Sequence, residues 1–338
     1  MNLDYVIIGG GTAGWLTALY IQKHLPQGQV TVIASSEIGI LGAGEGTTPD
    51  FMEFLNQIDV SPESILENAR GTIKKGIKFT NWNGDGKDFF HPFWGQYGEE
   101  ALHFDANLLA QHLQKIGLSR GIRLVDDIVV NINVDEKDYI TGFNLQSGNI
   151  VNCNFAFDCS GFKRLIIGNY YKSTWHTYAK SLPVNRAMPF FLDNDGVNLP
   201  EYTESIAMKY GWMWKIPVKG RYGCGYVFDS SFVTDEEIKQ ELEQYLGHEI
   251  VSPRMFSFEP GVYDKFCVKN CVAIGLSSGF VEPLEATSIW VGTMLLEYWG
   301  KKSEKIINGD VSSIDYINRV TKDINRNILN FIQFRFCT

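Results

Sequence analysis

Apolar positions in this chain follow two periods, and the places where one gives way to the other outline its elements. The unbroken run Tyr5-Val6-Ile7-Ile8 predicts a fully buried strand, the pattern from Trp15 to His24 a helix, and Val30-Thr31-Val32-Ile33-Ala34 a second buried strand. Strand, helix and strand in that order are a βαβ unit of the doubly wound α/β kind. Helical spacing recurs over 50–56, 61–68 and 105–116, and strand-like runs at 122–130, 139–145 and 150–157 predict a small meander that returns to the core sheet. From about 170 to 260 the texture changes to aromatic-rich strands broken by one helix over Asp235–Leu246, which predicts a second, mostly antiparallel sheet. A last buried strand, Cys271-Val272-Ala273-Ile274, precedes a helix beginning near Ala286. Ile314, Ile317, Val320, Ile324, Ile328, Phe331 and Ile332 then mark a C-terminal helix with Ser312-Ser313 as its predicted N-cap.

The turn between the first strand and the first helix is Gly9-Gly10-Gly11-Thr12-Ala13-Gly14. Glycines at 9, 11 and 14 in this context permit a tight turn, close approach of a pyrophosphate and close packing of the helix, so Gly9, Gly11, Thr12, Ala13 and Gly14 are candidate dinucleotide contacts. Two later turns favour FAD over NAD: Asp158-Cys159-Ser160-Gly161 after a mid-chain strand, and Gly275 after the strand that begins at Cys271. A sheet that returns twice with glycine-bearing turns suits a large cofactor lying across several strand ends, and makes Asp158, Gly161 and Gly275 candidate contacts. The second strand ends in Ala34-Ser35-Ser36, without the acidic residue that commonly receives the adenosine ribose. Ser35 and Ser36 are expected in its place, with modest FAD affinity.

The fold class is therefore α/β, a doubly wound FAD-binding domain of the glutathione-reductase-like kind with a substrate-side sheet and C-terminal helices. Residues 1–79, 105–168 and 265–300 are assigned to a discontinuous FAD-binding domain, 80–104 and 169–264 to a β-rich substrate side, and 301–338 to a helical segment. With 338 residues, 44% of them hydrophobic, the chain can bury a sizeable core. A formal charge of -9 without Lys/Arg runs argues against a nucleic-acid partner. No run reaches membrane-spanning length and the N-terminus lacks a basic leader, so a cytoplasmic protein is expected. The six cysteines lack zinc-site spacing and read as free buried thiols, with no metal site.

Trp212-Met213-Trp214-Lys215-Ile216-Pro217 puts two indoles two residues apart, hence on one face of a strand. Taken with Gly9–Gly14, Gly42-Ala43-Gly44-Glu45-Gly46-Thr47-Thr48-Pro49, Ile73-Lys74-Lys75-Gly76-Ile77-Lys78-Phe79 and Gly279-Phe280-Val281-Glu282-Pro283-Leu284-Glu285-Ala286-Thr287, in that order, the chain resembles the flavin-dependent halogenases, tryptophan halogenases in particular. The resemblance runs from end to end of the sequence, and the Trp-x-Trp-x-Ile-Pro segment is its most specific part.

The resemblance implies halogenation of an electron-rich aromatic by hypohalous acid made from reduced FAD, O2 and halide. It assigns catalysis to Lys74 and Glu285, further cofactor contacts to Ala43, Gly44, Glu45 and Gly46, and a flavin–substrate barrier to Trp212 and Trp214. Halide falls to the turn at Thr287 and Ser288, and the aromatic substrate to His91 and Phe93 in Phe89-Phe90-His91-Pro92-Phe93-Trp94. Glu282 is read as structural. Ala286 and Ser288 replace the serine and glycine of the family's Phe-x-x-Pro-x-x-Ser-x-Gly pattern, which predicts better use of bromide or iodide than chloride. The downstream helical region with which the tryptophan enzymes complete their pocket has no counterpart here, so the chain resembles a short or C-terminally truncated member. An open pocket, suited to larger or more varied arenes, is then expected. With no nicotinamide site evident, a separate flavin reductase is the expected partner besides the small aromatic substrate, and a homo-oligomer is left open. Two alternatives share the fold: a flavin-dependent aromatic hydroxylase and a non-catalytic flavin-binding relative.

Overall fold

The computed structural model describes residues 3–39, 45–251 and 255–336. Strand Asp4–Ile8 lies between Gln29–Ala34 and Phe155–Asp158 in a six-stranded sheet whose order runs Cys267–Val268, Cys271–Ala273, Phe155–Asp158, Asp4–Ile8, Gln29–Ala34, Arg123–Asp126. All pairs are parallel except the first. Because both faces of a parallel sheet are covered, its strands are apolar throughout. Tyr5 and Ile7 face a core shared with helices Thr12–His24, Ala106–Ser119, Thr287–Gly300 and Val311–Phe336, whereas Val6 and Ile8 face the meander of Val129–Val134, Ile140–Leu145 and Ile150–Asn152. The run at 122–130 is two strands, not one. Asp127 turns the chain between them, donating its N–H to Ala34 and accepting from Ile128, so that Arg123–Asp126 joins the parallel sheet and only Val129–Val134 joins the meander.

The second sheet has seven strands, in the order Phe256–Ser257, Arg186–Asp193, Arg221–Phe228, Gly211–Val218, Thr203–Met208, Gly76–Thr80, Phe89–Pro92. It is antiparallel apart from the pair of Thr203–Met208 with Gly76–Thr80. The boundary drawn at residue 79 thus cuts through a strand, since Gly76–Thr80 as a whole belongs to the seven-stranded sheet. Conversely Ala101–Phe104, assigned to the substrate side from the sequence, pairs with Glu45–Gly46 and Thr72–Lys74 in a separate small sheet. One face of the seven-stranded sheet, with Met188, Phe190, Met213, Tyr226 and Phe228, packs on helix Asp235–Leu246, which starts in a Thr234/Glu237 capping box. The other face carries Ile77, Phe79, Trp212 and Val227.

The C-terminal helix spans Val311–Phe336, and its cap is Asp310, not the serines: the Asp310 carboxylate accepts from the Ser313 N–H and from both serine hydroxyls. Asn318 docks the helix. Its Oδ1 accepts from the N–H groups of Phe266 and Cys267, each at 2.8 Å, and its Nδ2 donates to the Cys267 carbonyl. Asn318→Ala leaves two buried amides unpaired, so the denaturant midpoint should fall by the equivalent of about 2–4 kcal/mol at unchanged slope. An unaltered midpoint would show that the helix is held by its apolar face alone.

Candidate active site

The turn after the first strand is built on close contact. Gly9 leaves the strand at φ +120°, where a Cβ would meet the Cys159 carbonyl at 2.3 Å, and a Cβ on Gly14 would lie 1.9 Å from the Gly9 carbonyl. Gly275 (φ +71°) comes so near that a Cβ there would lie 2.9 Å from that of Ala13, and Ser277 donates to the Gly161 carbonyl, so the three glycine-bearing turns converge. Thr12 Oγ1, at the start of the helix, is buried without a hydrogen-bond partner among the described residues. An orphaned hydroxyl beside free helix N–H groups, at a turn that close packing of Gly9, Gly14 and Gly275 holds in place, fits a dinucleotide pyrophosphate.

The remaining cofactor candidates divide. Asp158 is committed to its own loop, its carboxylate accepting from Ser160, Ile166 and Ile167, so it shapes the Gly161 turn through those bonds. Ser36 donates its N–H to Asp126, which closes the adjacent strand, while Ser35 accepts from Glu37. Asp126 is the acidic group bonded to the end of the second strand. Sequence reading missed it because strand adjacency, not spacing, brings it to Ser36. Glu45 and Gly46 form a short strand next to Lys74, and burial together with the charge of Asp105 pushes the Glu45 carboxyl up to about 7. Ala43 and Gly44 lie outside the described residues.

Lys74 has no exposed surface. Its Nζ donates to the Thr47 carbonyl at 3.0 Å and stands 5.0 Å from the centre of the Phe93 ring, and the missing Cβ of Gly46 leaves it room. Burial pulls its pKa down to about 8 against the opposing charge of Glu285. Behind it lies His103, also fully buried. The Thr72 hydroxyl donates to the Pro217 carbonyl and therefore accepts from His103 Nδ1–H, and His103 Nε2 lies 2.9 Å from the Thr203 hydroxyl. Burial and the Lys74 charge hold the His103 pKa well below the usual value. Nothing in the local sequence around His103 signals this role.

The two indoles do lie on one face, with ring centres 6.1 Å apart and planes at 60°. Trp214 fits because its cross-strand neighbour is Gly225, where a Cβ would lie 2.1 Å from the ring. Trp212 is buried against Ile77, Phe79 and Leu284, and its Nε1 donates to Glu282 Oε1 at 2.7 Å. The other oxygen of Glu282 accepts from the Leu284 N–H. A structural glutamate thus ties the aromatic wall to the loop carrying Glu285.

Glu285 is nearly buried. Its Oε1 accepts from Arg335 Nε at 2.8 Å, and its Oε2 lies 3.6 Å from His91 Nδ1. Phe93 follows His91 out of strand Phe89–Pro92, so the structure brings Lys74, His91, Phe93 and Glu285 into one cluster. Past Glu285, Ala286 adopts left-handed backbone (φ +56°) and starts helix Thr287–Gly300. Thr287 and Ser288 in its first turn line a small recess with Gly275, Phe280, Val281 and Asn325, next to the nucleotide turns. The first amides of a helix lack intrahelical acceptors, which makes this a natural anion site.

Burial pushes the Glu282 carboxyl from its usual 4.5 up to about 8, outweighing its two hydrogen bonds. A carboxyl whose folded pKa is raised contributes full stability below its unfolded pKa and loses it as pH climbs through the folded one. Stability should therefore fall between about pH 4.5 and 8, with Glu45 adding in the same sense. Glu282→Gln cannot accept from both donors, so it should lower stability at acid pH by about 1–3 kcal/mol and flatten this slope. A pH series of denaturant melts that leaves the slope unchanged would exclude Glu282 as its source.

Comparison with known proteins places the chain in a family. The tryptophan halogenase family model matches residues 4–101 and 96–338. Tryptophan 6-halogenase SttH of Streptomyces toxytricini is 29% identical over 84% of this chain and 69% of its own length, and tryptophan 7-halogenase RebH of Lentzea aerocolonigenes is 29% identical over 84% and 67%. The crystal structure of SttH superposes with a TM-score of 0.91 at 26% identity, covering 98% of this chain and 78% of that one. BrvH, a flavin-dependent halogenase from Brevundimonas sp. BAL3, superposes with a TM-score of 0.85 at 29% identity over 97% and 77%. Matched along nearly its whole length in sequence and in fold, the chain belongs to the tryptophan halogenase family of flavin-dependent enzymes.

Proposed function

We propose that this enzyme halogenates an electron-rich aromatic ring of the indole or phenol class, with Lys74 and Glu285 as its catalytic residues. The observation that carries the reading is the buried Lys74 ammonium, tied to the Thr47 carbonyl, facing Phe93 and within the field of Glu285. FAD, bound in its reduced form, would activate O2, the oxidant that takes halide to hypohalous acid. Lys74 holds that acid by donating a hydrogen bond to its oxygen, which polarises the halogen toward the arene. The ring carbon bonds to the halogen as the oxygen–halogen bond breaks, the hydroxide so released takes a proton from the Lys74 ammonium and leaves as water, and loss of the ring proton to Glu285 restores aromaticity. Glu285 faces the positive charge that develops on the ring. His91 and Phe93 contact the arene, Thr287 and Ser288 hold the halide, and Trp212 with Trp214 separates flavin from substrate. A separate reductase supplies reduced flavin. The hydroxylase alternative leaves Lys74 without a task.

Incubation with FAD, a flavin reductase, NADH, O2, and chloride and bromide at equal concentration should convert indoles or phenols to products with one halogen in place of one hydrogen, bromide preferred. Enzyme-dependent gain of oxygen alone would overturn the halogenase reading, and a clear chloride preference would remove the role given to Ser288. Lys74→Met should cost at least about 100-fold in kcat while FAD still binds. If the ammonium is the working form, kcat should fall as pH rises through about 8. An increase through that pH would assign the work to the neutral amine, as a haloamine carrier.

A further inference from the structure

We propose that Arg335 is a positioning residue of the substrate site, its single guanidinium in the last turn of the C-terminal helix tying Glu285 to His91. Glu285 stands 50 positions before Arg335 and His91 stands 244 before it, so one side chain joins three distant segments. Nε donates to Glu285 Oε1 at 2.8 Å and Nη2 to His91 Nδ1 at 2.7 Å. The guanidinium lies 5.1 Å from the centre of the Phe79 ring and 5.0 Å from that of Phe331, aromatic neighbours that fix its position. Phe79 is itself part of the core beneath Trp212.

The chemistry of the donor decides the state of the acceptor. Guanidinium cannot accept a hydrogen bond, so His91 Nδ1 presents its lone pair and the imidazole is neutral with its proton on Nε2. The 3.6 Å approach of His91 Nδ1 to Glu285 is therefore no hydrogen bond, and Arg335 is what holds the two together. The charged and titratable groups facing Glu285 are Arg335 from the C-terminal helix, His91 from strand Phe89–Pro92, Lys74 from strand Thr72–Lys74 and Glu282 from its own loop. Without Arg335, the nearly buried carboxylate would face Lys74 as its only cation in this set, with its orientation no longer set.

This inference rests on the halogenase reading of the site, and its test separates the two. Arg335→Gln should lower kcat about 10- to 100-fold, with FAD binding intact and the KM for arene changed less than about threefold. Arg335→Lys should recover much of the loss, and Arg335→Gln added to Glu285→Gln should change kcat no further. Nitrogen NMR of 15N-histidine protein, which needs no turnover, should show His91 as the Nε2–H tautomer in the wild type and a tautomer mixture in Arg335→Gln. Wild-type kcat and His91 signal in Arg335→Gln would overturn the proposal. A kcat loss of equal size in the Glu285→Gln background would overturn it as well. A wild type that halogenates no arene would overturn the function instead, leaving the NMR result to judge Arg335.

Discussion

The constraint on which this structure turns is the burial of the Lys74 ammonium. Taking a unit charge out of water is expensive unless hydrogen bonds and opposite charge replace the solvent, and Lys74 has both: one carbonyl at contact distance, an aromatic face and the field of Glu285. Each of these comes from a different part of the chain. Thr47 lies just after the Glu45–Gly46 strand, Phe93 follows the hairpin, and Glu285 sits in the loop before helix Thr287–Gly300. The balance is incomplete, because the pKa is still depressed toward neutrality. An ammonium under-solvated in this way directs its remaining donors at whatever polar atom enters beside it.

The aromatic wall is coupled to that lysine through two buried polar groups. Trp212 is held by Glu282, and Glu282 by the Leu284 amide of the same loop that presents Glu285. At the far end of the tryptophan strand, Pro217 accepts from Thr72, two residues before Lys74, and Thr72 accepts from the neutral His103. The wall and the lysine are therefore fixed to each other at both ends of the strand. A fully buried indole also contributes about 4–6 kcal/mol of apolar burial by area, so Trp212 is part of the core as well as of the aromatic face it shares with Trp214.

Much of this was legible in the sequence. Buried parallel strands read as unbroken apolar runs, and the glycine turns sat between strand and helix where their backbone demands were interpretable. The two tryptophans needed only the two-residue period of a strand to share a face, and helix Asp235–Leu246 carried its own capping box and αL glycine. What escaped were features made by partners remote in sequence. Gly76–Thr80 pairs in parallel with a strand over a hundred residues later, a contact no local pattern encodes. Asp310 displaced Ser312-Ser313 as the cap because a carboxylate could take the Ser313 amide and both hydroxyls at once. His103, Glu282 and Asn318 are polar residues in apolar surroundings whose roles appear only with their hydrogen-bond partners.

Arg335 belongs to the same class, and it changes how the C-terminal helix is understood. By period alone the helix is an amphipathic brace, with Ile317, Ile328 and Ile332 buried on the main core. A brace held only by apolar contacts could slide or rotate by a fraction of a turn with little penalty, since apolar burial is not directional. Asn318 removes that freedom near one end by bonding backbone at Phe266 and Cys267, and Arg335 removes it at the other by bonding a carboxylate and an imidazole. Hydrogen bonds of fixed geometry at both ends convert a packed helix into a ruler. The Glu285 carboxylate is thereby referenced to the core sheet through Asn318 and the helix, and to the tryptophan wall through Glu282.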